Sequence, residues 1–137
     1  MSSRLNPYIA FSDDARQALE FYRGVFGGEL SLSTFGEAGG ADGPDADKVM
    51  HGQLETPAGY TLMVADTPAG MDNTVGTNIS ISLSGDDSDE LRGYFAALAE
   101  GGTVTVPLEK QMWGDEFGMC NDRFGITWMV NISQPQS

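Results

Sequence analysis

The chain has 137 residues, 40% of them hydrophobic and 20% charged, which suits one domain (1–137) with its own core and argues against global disorder. Twenty acidic residues against seven basic ones give a net charge of −13, so phosphate backbones and anionic membranes are repelled and neither is expected as a partner. No run approaches the ~18 apolar residues of a membrane span, the first residues lack a signal-peptide core, and the single cysteine, Cys120, has no internal disulfide partner, so the expected compartment is the cytoplasm.

Alternating polarity predicts a first strand over about 5–11. Ser12 follows as a helix N-cap, with Asp13 and Asp14 well placed in the first turn of a helix reaching about 26. Leu19, Phe21 or Tyr22, and Phe26 supply its apolar face, and the pair Gly27-Gly28 stops it. Strands are expected near 29–35, 48–56 and 59–66, closing a first module of about 5–66, and residues 67–73 read as a link. The second module, about 77–132, has a strand at 77–84 and a helix at about 88–100, where Asp87 and Glu90 have capping-box spacing. Strands near 102–109, 115–121 and 126–132 complete it.

These two modules are similar in sequence. Asn6-Pro7-Tyr8-Ile9-Ala10-Phe11-Ser12 resembles Asn78-Ile79-Ser80-Ile81-Ser82-Leu83-Ser84 at an offset of 72. Gly59-Tyr60-Thr61-Leu62-Met63-Val64 resembles Gly125-Ile126-Thr127-Trp128-Met129-Val130 at an offset of 66. Both helices end in a Gly-Gly pair. The repeat reads as a duplicated βαβββ unit, with about six extra residues in the acidic, Gly-rich stretch 36–47 of the first copy. Glu37, Asp42, Asp45 and Asp47 in that stretch lack EF-hand spacing and read as a solvated loop.

Strand parity then sorts the side chains. Ile9, Phe11, Leu62, Val64, Ile79, Ile81, Leu83, Trp128, Val130 and Ile132 share the apolar parity and are expected beneath the helices. The opposite parity mixes amides, hydroxyls, thioethers and rings, as a small-molecule pocket does. The candidate ligand-binding residues are Tyr8, His51, Gln53, Met63, Ser80, Trp113, Phe117, Met119 and Met129. Trp113, Phe117 and Met119 suit a flat or cationic ligand, or simply pack the second module. Cys120 falls on the helix-facing parity and reads as a small buried hydrophobe rather than a nucleophile.

The repeat, together with Leu5-Asn6-Pro7-Tyr8-Ile9-Ala10-Phe11, Ala18-Leu19-Glu20-Phe21-Tyr22, His51-Gly52-Gln53-Leu54, Trp113-Gly114-Asp115-Glu116-Phe117-Gly118 and the stretch from Asp122 to Asn131, resembles the vicinal oxygen chelate superfamily, and more narrowly its PhnB-like branch. That superfamily includes glyoxalase I, ring-cleaving dioxygenases, and bleomycin- and fosfomycin-resistance proteins. The resemblance implies an α+β fold in which two βαβββ modules form curled mixed sheets around a cavity, usually as a homodimer. Enzymes of the superfamily hold a divalent metal with His and Glu side chains on the first and last strand of each module. Carried across, those positions are Asn6, Met63, Asn78 and Met129, which are poor ligands for Zn, Ni, Mn or Fe(II).

Two functions are thus expected. The first is a binding protein for a small molecule, with no metal and no cofactor. The alternative is a metal-dependent lyase, isomerase or dioxygenase with an unconventional site at His51 and Glu55. Those two lie four residues apart on one strand, roughly 13 Å, so they converge on one ion poorly. A lone histidine is also more often a hydrogen-bonded structural residue than a general base.

Overall fold

A computed structural model describes residues 3–37, 46–68, 71, 73, 75–76 and 78–134. The elements run β1 (Tyr8–Phe11), α1 (Ala15–Phe26), β2 (Glu29–Thr34), β3 (Val49–Glu55), β4 (Thr61–Asp66), β5 (Ile81–Gly85), α2 (Ser88–Ala99), β6 (Thr103–Lys110), β7 (Glu116–Asn121) and β8 (Thr127–Ile132). They fall into two compact units, Met1–Val75 and Gly76–Ser137. Each unit is one βαβββ module with a four-stranded mixed sheet, ordered β1-β4-β3-β2 in the first and β5-β8-β7-β6 in the second. In each, the first strand pairs in parallel with the last, and the remaining pairs are antiparallel. The α+β, βαβββ architecture is therefore the one expected. Among the described residues no helix is long and apolar enough to cross a membrane.

One face of each sheet is covered by its helix. Helix α1 buries Ala15, Ala18, Leu19, Tyr22 and Phe26, spaced at the helical period, and Phe11, Leu54, Leu62 and Val64 of the sheet are buried with them. Tyr22, rather than Phe21, is the fully buried aromatic. In the second unit Leu91, Phe95 and Leu98 of α2 are buried together with Leu83, Cys120, Trp128, Val130 and Ile132. Burial of this kind contributes about 25 cal/mol per Å² of apolar surface and dominates the stability of each unit.

The helix starts differ from one another. Asp87 caps α2 by accepting from the Glu90 backbone N–H at 3.4 Å, as its spacing predicts. Helix α1 starts at Ala15 and not at Ser12, and Asp14 at its N-cap position makes no capping bond. The cap is supplied from a distance: Asp66, buried at the end of β4, accepts from Ala15 N–H at 2.9 Å through Oδ1 and from Val49 N–H at 2.9 Å through Oδ2. One carboxylate therefore ties the helix start to the start of β3.

The strand register corrects the offset of the repeat. Ile9 pairs with Val64 and Leu83 with Val130, so Ile9 corresponds to Leu83 at an offset of 74, not 72. The same offset relates Glu29, opposite Glu55, to Thr103, opposite Asn121. From β3 onward the offset is 66, because Gly52 faces Val64 as Gly118 faces Val130. The surplus in the first module is therefore eight residues rather than six, and it lies between β2 and β3. The glycine pairs obey the corrected offset for a steric reason. A Cβ on Gly28 would stand 2.0 Å from the Glu55 carbonyl oxygen, and one on Gly102 would stand 2.1 Å from that of Asn121.

The duplication extends to side-chain bonds. Thr56 Oγ1 accepts from Tyr60 N–H at 3.0 Å, and Asp122 Oδ1, at the equivalent position, accepts from Ile126 N–H at 3.1 Å. The Thr61 hydroxyl donates to Glu55 at 3.4 Å as the Thr127 hydroxyl donates to Asn121 at 2.7 Å.

Three further expectations change. The first strand is shorter than 5–11, although the Pro7 carbonyl still accepts from Met63 N–H at 3.1 Å. The strand expected at 77–84 runs Ile81–Gly85, which leaves Ile79 80% exposed instead of beneath the helix. Glu37 is no free loop carboxylate: it accepts from Thr34 N–H at 3.1 Å while its own N–H donates to Thr34 Oγ1 at 3.1 Å. Asp42 and Asp45 lie outside the described residues, and Asp47 is exposed.

Candidate functional site

Each sheet has a helix-free face, and the candidate residues sort onto these two faces. In the first unit the register runs Tyr8–Met63–Gln53–Ser31 across β1, β4, β3 and β2, so three candidates form one row. His51, two residues before Gln53 on the same face, sits opposite Ser33. Its ring meets that of Tyr8 with centroids 5.8 Å apart and planes tilted by 43°. This face thus assembles Tyr8, His51, Gln53 and Met63, all partly exposed.

At the other end of β3, Glu55 is engaged. Arg4 Nη1 lies 3.3 Å from Glu55 Oε1 and donates to Thr61 Oγ1 at 3.2 Å, and the Thr61 hydroxyl itself reaches Glu55. Glu55 and His51 point from one strand at separate places and hold separate partners, so the pair suggested for an unconventional metal site is not brought together.

The second unit places different chemistry at the equivalent positions. Its row reads Ser82–Met129–Met119–Val106. The neighbouring row reads Ser84–Asn131–Phe117. Trp113, in the turn before β7, sets its ring edge to face against Phe117 with centroids 6.3 Å apart. Phe117, Met119 and Met129 are half-buried, while Trp113 is exposed. Asn131 donates to Asp115 Oδ2 at 3.1 Å, and Arg92 pairs with Glu116 nearby. Ser80 precedes β5 and is exposed; Ser82 is the hydroxyl that the register sets opposite Met129. Parity alone could not choose between Ser80 and Ser82, because both fall on the same face.

Cys120 sits on the helix side, fully buried. Desolvation, with a further push from the Asp122 carboxylate, raises its thiol to about 11, so it stays protonated at neutral pH.

The donor set bears on metal chemistry. The first-strand residue that the register sets beside Met63 is Tyr8 rather than Asn6, and the one beside Met129 is Ser82 rather than Asn78. On either assignment these positions supply amides, hydroxyls and thioethers, with no carboxylate or imidazole. Such donors do not fit the divalent ions that superfamily enzymes use. Among the described residues no group of three or more His, Cys, Asp or Glu side chains is arranged to hold a metal ion.

Several known proteins resemble this chain along nearly its whole length. Protein YjdN of Escherichia coli is 27% identical over 96% of the chain and 97% of its own length. Rv0887c of Mycobacterium tuberculosis is 33% identical over 96% of the chain and 74% of its own length. Among solved structures, PA1353 from Pseudomonas aeruginosa superposes with a TM-score of 0.83 at 36% identity, covering 98% of this chain and 100% of that one. The PhnB protein from Bacillus cereus shares the fold, with a TM-score of 0.76 at 22% identity over 96% of this chain and 100% of its own. Residues 4–130 match the family model, and with the two βαβββ units they identify the chain as a member of the Glyoxalase/Bleomycin resistance protein/Dioxygenase superfamily.

Proposed function

We propose that this PhnB-like chain binds a small organic molecule on its helix-free sheet faces and does so without a divalent metal. The observation that carries the reading is the contrast between the two properties of those faces. They gather partly exposed rings, thioethers and polar groups (Tyr8, His51, Gln53 and Met63; Phe117, Met119 and Met129), as ligand sites do. Yet the positions that carry metal ligands in superfamily enzymes hold none of the usual donors. By family likeness the working form is a homodimer.

A thermal-shift screen of small aromatic and cationic compounds, run with and without EDTA, tests the reading. Stabilisation by a subset of compounds, unchanged by chelation, is the expected result, since any ligand that binds only the folded state raises the melting temperature. No stabilising compound in the screen would count against binding. Stoichiometric metal in protein purified without chelator, lost in His51→Ala, would replace this reading with the metal-dependent enzyme.

A further inference from the structure

We infer that the first unit's face recognises a neutral, amide-like group, through Tyr8, His51 and Gln53. The inference rests on the proposed small-molecule binding and specifies its chemistry. Among the described residues, nothing hydrogen-bonds the Tyr8 hydroxyl, the His51 imidazole or the Gln53 amide, although His51 and Gln53 are half-buried. Polar groups in that setting cost free energy unless water or a ligand satisfies them. The fold does not require their polarity. The repeat places Phe117 where His51 stands and Met119 where Gln53 stands, with Met119 beside Met129 as Gln53 is beside Met63.

The class of ligand follows from what surrounds them. The imidazole, carboxamide and phenol together offer both donors and acceptors, so they match a group that does the same. A carboxylate offers only acceptors, and the guanidinium that lies beside this face among the described residues, that of Arg4, is paired with Glu55. The net charge of −13 further disfavours an anion. An amidinium offers only donors; Glu55 is already engaged by Arg4 and Thr61, and Glu29, opposite it on β2, lies on the side of Gln53 away from His51. An amide, imide or urea edge satisfies both requirements.

Three isosteric probes separate these classes: benzamide, benzoate and benzamidinium, each titrated into nitrogen-15-labelled protein and followed by NMR. Benzamide is expected to shift the Gln53 side-chain amide and the His51 ring resonances more than either charged analogue. His51→Phe and Gln53→Met, which copy the second unit, are expected to keep the melting temperature and to weaken benzamide roughly tenfold each. Equal or larger shifts with benzoate or benzamidinium would overturn the amide class, as would unchanged benzamide affinity in both variants. Silence of those resonances toward all three probes overturns it too, whatever the variants do. Small-molecule binding itself is judged by the thermal-shift screen, so a hit there alongside failure here discards only the amide inference.

Discussion

Asp122 and Trp128 are joined in the interior of the second unit, where the indole Nε1–H donates to Asp122 Oδ2 at 2.9 Å. Oδ1 of the same carboxylate accepts from Phe124 N–H at 2.8 Å and Ile126 N–H at 3.1 Å, so one buried side chain organises the turn between β7 and β8. The first unit builds the same turn around Thr56, with Leu62 at the position of Trp128. Asp122→Thr should therefore keep the turn but lose the bond from the indole N–H, costing about 1–3 kcal/mol. Trp128→Leu loses the same bond and opens space, costing about 3–5 kcal/mol. The double variant copies the first unit, and urea denaturation should show it losing less than the sum of the two.

Asp66 is the second buried carboxylate with a structural task. Its two oxygens serve the first N–H of α1 and the first N–H of β3, each at 2.9 Å. Asp66→Ala leaves both donors unsatisfied and removes a helix cap, so a loss of about 3–5 kcal/mol is expected. Hydrogen exchange would localise the damage to the first turn of α1 and to Val49, with the second unit unaffected.

Asp14 titrates upward, mainly because burial disfavours its charged form, with Asp13 and Asp66 adding repulsion against a backbone hydrogen bond that favours ionisation. A carboxyl whose folded pKa lies above its unfolded value binds its proton more tightly when folded. Its ionisation therefore opposes folding above the carboxylate range. Asp14→Asn should raise the melting temperature slightly at neutral pH, and the gain should vanish as pH falls below the ordinary carboxylate range. A gain that grew toward acid would contradict this sign.

Cys120 gives the opposite end of the pH scale. Its thiol is pushed up to about 11 from an ordinary value near 9. The contribution is present below the unfolded pKa and is lost as pH rises from about 9 toward 11, because the unfolded thiol ionises first. Stability measured across that window should fall more steeply in the wild type than in Cys120→Ala. At pH 8 the native thiol should resist a disulfide reagent that reacts at once with the unfolded chain.

Much of the fold was legible because burial imposes periods. Leu62, Val64, Trp128, Val130 and Ile132 alternate visibly, and each is buried. The shared asparagines Asn6 and Asn78 suggest an offset of 72 for the first strand, whereas its register is fixed by the parallel partner, which sequence similarity does not show. The glycine pairs ending at Gly28 and Gly102 carried the right spacing all along, since a steric requirement lies behind them. The contact of Tyr8 with His51 depends on β4 lying between their strands, and no local pattern encodes that order. The cap on α1 was hidden for the same reason: Asp66 lies 51 residues from Ala15.

The strand order also sets a timetable for synthesis. In each unit the last strand made, β4 or β8, is an inner one that pairs with the first strand on one side and the third on the other. Among the described residues Tyr8 has no strand neighbour until Met63 has been added. A ribosome must therefore deliver almost the whole of a module before its first strand can dock, and α1 waits for Asp66 to reach its cap. A chain interrupted before Thr127 would leave β5 without its parallel partner and β7 with an open edge, both available for aggregation.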